Sequence, residues 1–193
     1  MIRESIITTL GPSGDVHIAP MGVIWREALP VLAPFRPSRT LDNLRANPFA
    51  VINHTDDVRV FAGCLTGRRN WPVRPADKVP GAVLRDVLSY QELEVESFAD
   101  DPVRPRFRCR IVHEAVAAPF SGFNRAQAAV IEAAILVSRL DRLPFEKIER
   151  EMAYLAIAIE KTAGPRESEA WGWVATRVEA FHRETALGSE AAR

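Results

Sequence analysis

The sequence predicts an α+β protein: an antiparallel β-rich half followed by a helical half. Up to about residue 120, short apolar or alternating runs are separated by clusters of Gly, Pro, Asn and Asp, the pattern of strands joined by turns. From Asn124 onward apolar residues recur at spacings of three and four, the period of a helix face. The chain has 193 residues, 47% hydrophobic and 26% charged, which suffices for one sizeable core or two small ones and excludes a disordered chain.

Ile6 to Leu10 and Val16 to Trp25 flank Gly11-Pro12-Ser13-Gly14, a composition suited to a hairpin connection. Arg26-Glu27 then separates Trp25 from Leu29 to Phe35, where Pro30 and Pro34 predict an edge or irregular strand. Ser38 precedes a short helix face made by Leu41 and Leu44, closed by Asn47-Pro48. Phe49 to Ile52 fits a buried strand, the polar stretch Asn53 to Asp57 follows, and residues 66 to 82, rich in Gly, Pro and Arg, read as a loop. Leu88 to Phe98 and Phe107 to Ala117 are the last strands, joined through Asp100-Asp101-Pro102. Three helices are expected beyond them: Ala126 to Leu140, the stripe Phe145-Ile148-Met152-Leu155-Ile159, and the stripe Trp171-Val174-Val178-Phe181, with Gly164-Pro165 breaking the last two apart.

Composition removes several classes of function. Lys plus Arg and Asp plus Glu are 25 each, so no general attraction to nucleic acid is expected. Met1 to Ile7 carries an early acid, and no apolar run approaches the roughly 18 residues of a membrane span. A cytoplasmic protein with no membrane partner is expected. Cys64 and Cys109 read as buried free thiols, and the scattered His17, His54, His113 and His182 give no metal-ligand spacing.

Two stretches bear on ligand chemistry. Ser38-Arg39-Thr40 places two hydroxyls and a guanidinium at the start of a helix, where unpaired N–H groups suit a phosphomonoester; the same residues also read as a plain N-cap beside a solvated charge. His17 to Val23 sits in a strand yet contains Pro20, Met21 and Gly22. That composition opens the backbone to a flat ligand, or marks a β-bulge that bends the strand. Arg125, Glu132 and Arg139 recur every seven residues within an apolar helix, either as an ion-pair set between helix and β half or with Asn124 and Arg125 turned into a cavity. His54 beside Asp56 and Asp57 reads as a polar turn with a surface histidine, or as a proton shuttle.

The segments HIAPMGV, FRPSRTLDNL, AVINHTDDV and GFNRAQAAVIEAAILVSRL resemble, in order over nearly the whole chain, family four-four-seven among the domains of unknown function. That family is similar to flavin reductases and pyridoxamine-phosphate oxidases. The resemblance implies an N-terminal antiparallel split β-barrel that binds FMN, over residues 1–120, followed by a helical domain, 121–193, packed on it. It implies a homodimer with the flavin near the interface. Ser38, Arg39 and Thr40 would hold the FMN phosphate, Pro20, Met21 and Gly22 would line the isoalloxazine ring, and Asn53 would lie nearby.

The function these expectations add up to is oxidoreductase chemistry at FMN on a small-molecule substrate. NAD(P)H would bind only transiently, because the glycine fingerprint of a nicotinamide site is absent from the sequence. A link to tetrahydromethanopterin and one-carbon metabolism follows from the resemblance alone. The alternative is a protein that stores, delivers or senses FMN without turnover. No nucleophile or acid–base dyad stands out, and flavin chemistry requires none, since the cofactor supplies the electronics.

Overall fold

The computed structural model describes residues 1–191. Eight strands and five helices follow in the order β1 (Ile2–Leu10), β2 (Val16–Arg26), β3 (Leu29–Leu32), α1 (Arg39–Ala46), β4 (Phe49–His54), α2 (Arg59–Leu65), β5 (Val73–Pro75), β6 (Ala82–Leu84), β7 (Ser89–Ala99), β8 (Arg106–Val116), α3 (Arg125–Val137), α4 (Phe145–Thr162) and α5 (Pro165–Ala191). Internal contacts divide the chain into two compact units: Met1–Asp56 with Asn70–Phe120, and Asp57–Arg69 with the chain from Ser121 onward.

In the first unit six strands close into an antiparallel barrel in the order β1-β2-β3-β8-β7-β4. Ile7, Val23, Leu32, Ile52, Leu93 and Phe107 fill its interior, joined by Leu41 and Leu44 from α1. These residues alternate along their strands with outward-facing ones, as the pleat requires. The β2–β3 turn places Glu27 and Ala28 at φ 50° and 67°, the left-handed pair of a two-residue hairpin, here built without glycine.

Three sequence expectations are corrected. The prolines around Leu29 predicted an edge strand, but β3 lies between β2 and β8; it is only four residues long, so Pro34 falls beyond it and only Pro30 sits inside. Residues 66 to 82 are not all loop: β5 and β6 form a two-stranded sheet within and just beyond them. That sheet lies against β1 and β4, where the Thr8 hydroxyl donates to the Ala82 carbonyl and Leu84 N–H donates to Asn53 Oδ1 at 2.8 Å. The helix α2, between Asp57 and Thr66, was not predicted at all.

The second unit packs α2 with α3, α4 and α5 around Val58, Ala62, Val130, Ala133, Ile148 and Val174. On α3 the buried residues are Ala126, Ala129, Val130, Ala133, Ala134, Leu136 and Val137, whereas Arg125 and Glu132 are exposed, as is Arg139 in the turn beyond the helix. The seven-residue charge repeat is therefore a solvated set that makes no ion pair among the described residues, and Glu132 borders a cleft with Leu136, Glu151, Tyr154 and Leu155. Asn124 caps α3 by accepting from Ala126 N–H at 2.7 Å, and its Nδ2 donates to the Thr162 carbonyl at 3.0 Å, so its amide ties the start of α3 to the end of α4. No helix among the described residues is long and apolar enough to cross a membrane.

Candidate functional site

Helix α1 starts where the sequence places a cap. Ser38 is extended (φ −161°, ψ 149°) and its side chain accepts from Leu41 N–H at 3.3 Å. Asp42 N–H bonds the Ser38 carbonyl at 3.2 Å, which leaves the N–H groups of Arg39 and Thr40 ahead of the first intrahelical acceptor. The helix is anchored on its inner side: Leu41 and Leu44 are buried, and Asn43 Nδ2 donates to Thr9 Oγ1 on β1 at 2.9 Å. Thr40 is buried, at 4% exposure. The Arg39 guanidinium reaches the carboxylate of Asp15, at the end of the β1–β2 turn. The helix start thus lies at the Val16 end of β2.

Along β2, Pro20, Met21 and Gly22 form part of an unbroken ladder with β1, paired with Ile6, Ser5 and Glu4. The bulge alternative is therefore removed. A proline is tolerated here because of register. Trp25 N–H donates to the Met1 carbonyl at 2.8 Å, so odd-numbered residues of β2 turn their backbone groups toward β1 and even-numbered ones away from it. Pro20 has no donor to lose on the β1 side. The far side of β2 meets β3 only over Ile24–Arg26, and no other strand pairs there among the described residues. Pro20 and Gly22 accordingly direct their backbone groups along a stretch of β2 that no other strand pairs with on that side among the described residues. A Cβ on Gly22 would lie 2.9 Å from Ile2 Cγ2 and 3.1 Å from Glu4 Oε1, so a larger residue there would displace those side chains. Met21 points inward and packs against the barrel core.

Asn53 is placed differently. It is fully buried, its Nδ2 lies 3.2 Å from both the Ile6 carbonyl and Thr8 Oγ1 and 3.3 Å from the Val51 carbonyl, and its Oδ1 accepts from Leu84 N–H. Its amide holds β6 onto the barrel and presents no group to solvent. His54 is not a surface histidine in a turn. It ends β4, half-buried, with Nε2 3.5 Å from Gln91 Oε1. Burial depresses its pKa, the Gln91 bond opposes this, and the nearby Arg3 charge adds to the depression, which favours the neutral ring. Asp57 accepts from Arg59 Nε at 2.9 Å.

The sequence matches the model of the DUF447 N-terminal domain, described as a protein of unknown function, over residues 3–118, and the companion DUF447 model over 124–176. The chain belongs to the DUF447 family. Its fold is shared with an FMN-bound DUF447 protein of Methanosarcina mazei, at 18% identity and a TM-score of 0.80, covering 91% of this chain and 94% of that one. Flavoredoxin of Methanosarcina acetivorans superposes at 12% identity and a TM-score of 0.53, covering 60% and 69% of the two chains. The 2-nitrobenzoate 2-nitroreductase of Pseudomonas fluorescens does so at 17% and 0.52, covering 59% and 64%. At these identities the likeness establishes the flavin reductase-like barrel fold. No curated protein matches this DUF447 sequence.

Sequence reasoning missed Glu92. Its fully buried carboxylate accepts from three successive backbone N–H groups: Asp77 at 2.6 Å, Lys78 at 2.7 Å and Val79 at 3.0 Å. Beside it the Tyr90 hydroxyl donates to Asp77 at 2.5 Å, which holds the Asp77 carboxyl below its usual range. Asp77, Glu92 and His113 bring ligand-type atoms within 4.8 Å of one another, but both Glu92 oxygens are already taken by backbone donors and Asp77 serves Tyr90 and Arg74. The cluster is a loop anchor in this DUF447 chain. The only signal for it was an acid amid the strand pattern of β7, which is indistinguishable in sequence from a solvated one. Cys64 and Cys109 are buried thiols outside any disulfide, and burial pushes Cys109 up to about 12.

Proposed function

We propose that this DUF447 chain is an FMN-binding flavoprotein that works as an oxidoreductase on a small molecule. The observation that carries the proposal is the arrangement of two features along one strand. A helix start with unpaired N–H groups and Arg39 lies at one end of β2, and the stretch bearing Pro20 and Gly22, which no other strand pairs with on its far side among the described residues, begins a few residues farther along the same strand. The donor set fits a phosphomonoester: the guanidinium binds it bidentately, and the N–H groups of the first turn add partial positive charge. The FMN-bound family relative and the flavoprotein fold neighbours support the same reading. FMN, when bound, supplies hydride or electron transfer. Ser38, Arg39 and Thr40 would hold its phosphate, and the β2 edge at Pro20, Met21 and Gly22 would seat the flat ring. Asn53 would act through the barrel wall, its amide being internally committed.

Replacing Arg39 with Ala is expected to weaken FMN by about 1.5–3 kcal/mol, the range for hydrogen bonds to a charged group, and to leave riboflavin nearly unaffected. Calorimetric titration of both ligands measures this, and equal losses would reject the phosphate assignment. Bleaching of the bound flavin by NADH or NADPH under anaerobic conditions distinguishes turnover from the alternative of FMN storage, delivery or sensing. The link to tetrahydromethanopterin and one-carbon metabolism rests on the family resemblance alone.

A homodimer is part of the proposal. The barrel exposes Met1 and Ile2 at 73% and 63%, and Ile2 lies against Gly22 at the proposed ring site. Apolar surface beside this stretch of β2 is suited to a second copy. Light scattering is expected to give about twice the 21.5 kDa chain mass, and a monomer at micromolar concentration with flavin bound would refute it.

A further inference from the structure

We propose that Asp15 is a specificity-determining carboxylate of the phosphate site, which competes with the ligand phosphate for Arg39 and so weakens FMN binding; this rests on the FMN reading given above. The carboxylate is held in place. The turn closes through Gly11 N–H to the Asp15 carbonyl at 2.9 Å and Gly14 N–H to the Gly11 carbonyl at 2.9 Å. The Ser13 hydroxyl donates to Asp15 Oδ1, and Arg39 approaches Oδ2, so each oxygen has a partner, one from its own turn and one from α1. The turn is shaped around it: a Cβ on Gly11 would lie 2.6 Å from Asp15 Oδ1, so a larger residue there would displace the carboxylate.

Asp15 therefore puts a fixed negative charge against the guanidinium at the start of α1, whose first turn already carries Asp42. Arg39 and Asp15 side chains are 52% and 42% exposed, so their pairing contributes little to folding. Its consequence lies in binding. A dianionic phosphate entering this site meets the carboxylate's repulsion and takes over guanidinium donors that Asp15 engages, whereas riboflavin, without the phosphate, meets neither. Asp15 thus narrows the affinity gap between FMN and riboflavin and keeps FMN exchangeable.

The test is the full-length Asp15→Asn protein, which keeps side-chain shape and the Ser13 acceptor while removing the charge. FMN is expected to bind roughly three- to tenfold tighter, as for a unit charge removed a few ångströms from a half-exposed anion site. Riboflavin affinity should not change, and the FMN gain should shrink as salt is raised. The Asp15→Asn substitution placed on Arg39→Ala should give a smaller gain than on the native chain, because the contest for the guanidinium is gone. Weaker FMN binding in Asp15→Asn would mean that Asp15 positions Arg39 for the phosphate, and unchanged binding would mean that it has no part in the site; either overturns the inference. The underlying reading fails separately, if Arg39→Ala leaves FMN affinity intact. An unaltered far-ultraviolet spectrum and melting midpoint of Asp15→Asn exclude a folding effect.

Discussion

A chain ending at Pro119 is expected to aggregate on expression and to yield no soluble FMN-binding barrel. The fragment would retain α2, which belongs by sequence to the barrel half and by packing to the helical unit. Val58 and Ala62, at 1% and 0% exposure, share a core with Val130, Ile148 and Val174, all of which the truncation removes. Arg59, which bonds Asp57 and Glu169, would lose its second partner. Each large apolar side chain returned to water costs about 1.5–3 kcal/mol, and a short helix without tertiary cover does not persist in water. The segment between β4 and β5 would then be an apolar loop in the middle of the barrel's connectivity. The measurement is the soluble fraction of the 1–119 fragment together with its flavin absorbance. A monodisperse, FMN-binding fragment would show that α2 is dispensable to the barrel.

The reason α2 went unseen in the sequence is physical. Val58 has no capping side chain to announce the helix, the helix is seven residues long, and Val60-Phe61-Ala62-Gly63-Cys64 is buried on every side, which erases the amphipathic period that marks a helix. Helices α4 and α5, each with one apolar stripe, were legible for the opposite reason. So was α1, whose Ser38 cap and Asn47-Pro48 stop bracket it. The strands were legible by alternation and turn residues, whereas the barrel was legible only through the family resemblance, because its closure depends on β3 pairing with β8 through Val31 and Leu32, contacts far apart in sequence. Of the site, Ser38-Arg39-Thr40 was legible as a helix start. The Asp15 contact was not, since nothing in a hairpin turn says which side chain will face it. Pro20 and Gly22 looked irregular in sequence and proved regular in the ladder; what singles them out is that no strand pairs with them on the far side of β2 among the described residues. The Arg125-Glu132-Arg139 repeat was misread because a seven-residue spacing alone does not say which face of the helix is buried. The small residues Ala126, Ala129 and Ala133 form that face.

Replacing Glu92 with Ala is expected to destabilise the barrel unit by about 3–5 kcal/mol. The carboxylate is the only acceptor shown for the N–H groups of Asp77 and Lys78 and for that of Val79, and a buried donor stripped of its partner costs about 1–3 kcal/mol. Only the Val79 donor is buried; those of Asp77 and Lys78 are part-buried in exposed residues and add less, because they can turn toward water, and the removal of a buried charge supplies the rest. Three successive N–H groups converging on one anion form a concave donor site, so the loop before β6 is shaped by Glu92 and would lose that shape without it. Glu92→Gln should fall between the two, because an amide retains one acceptor oxygen but turns its own N–H groups toward backbone donors. Thermal or urea unfolding gives the loss directly; for a unit of about 100 residues it corresponds to roughly 15–25 °C in the midpoint. The same experiment separates an anchor from a metal ligand. If Glu92 were a ligand, added divalent cation would raise the midpoint of the native protein and not that of Glu92→Ala; as an anchor, it leaves both unmoved. A loss below about 1 kcal/mol in Glu92→Ala would show that the loop finds other acceptors and that the three hydrogen bonds are not what holds β6 against β1 and β4.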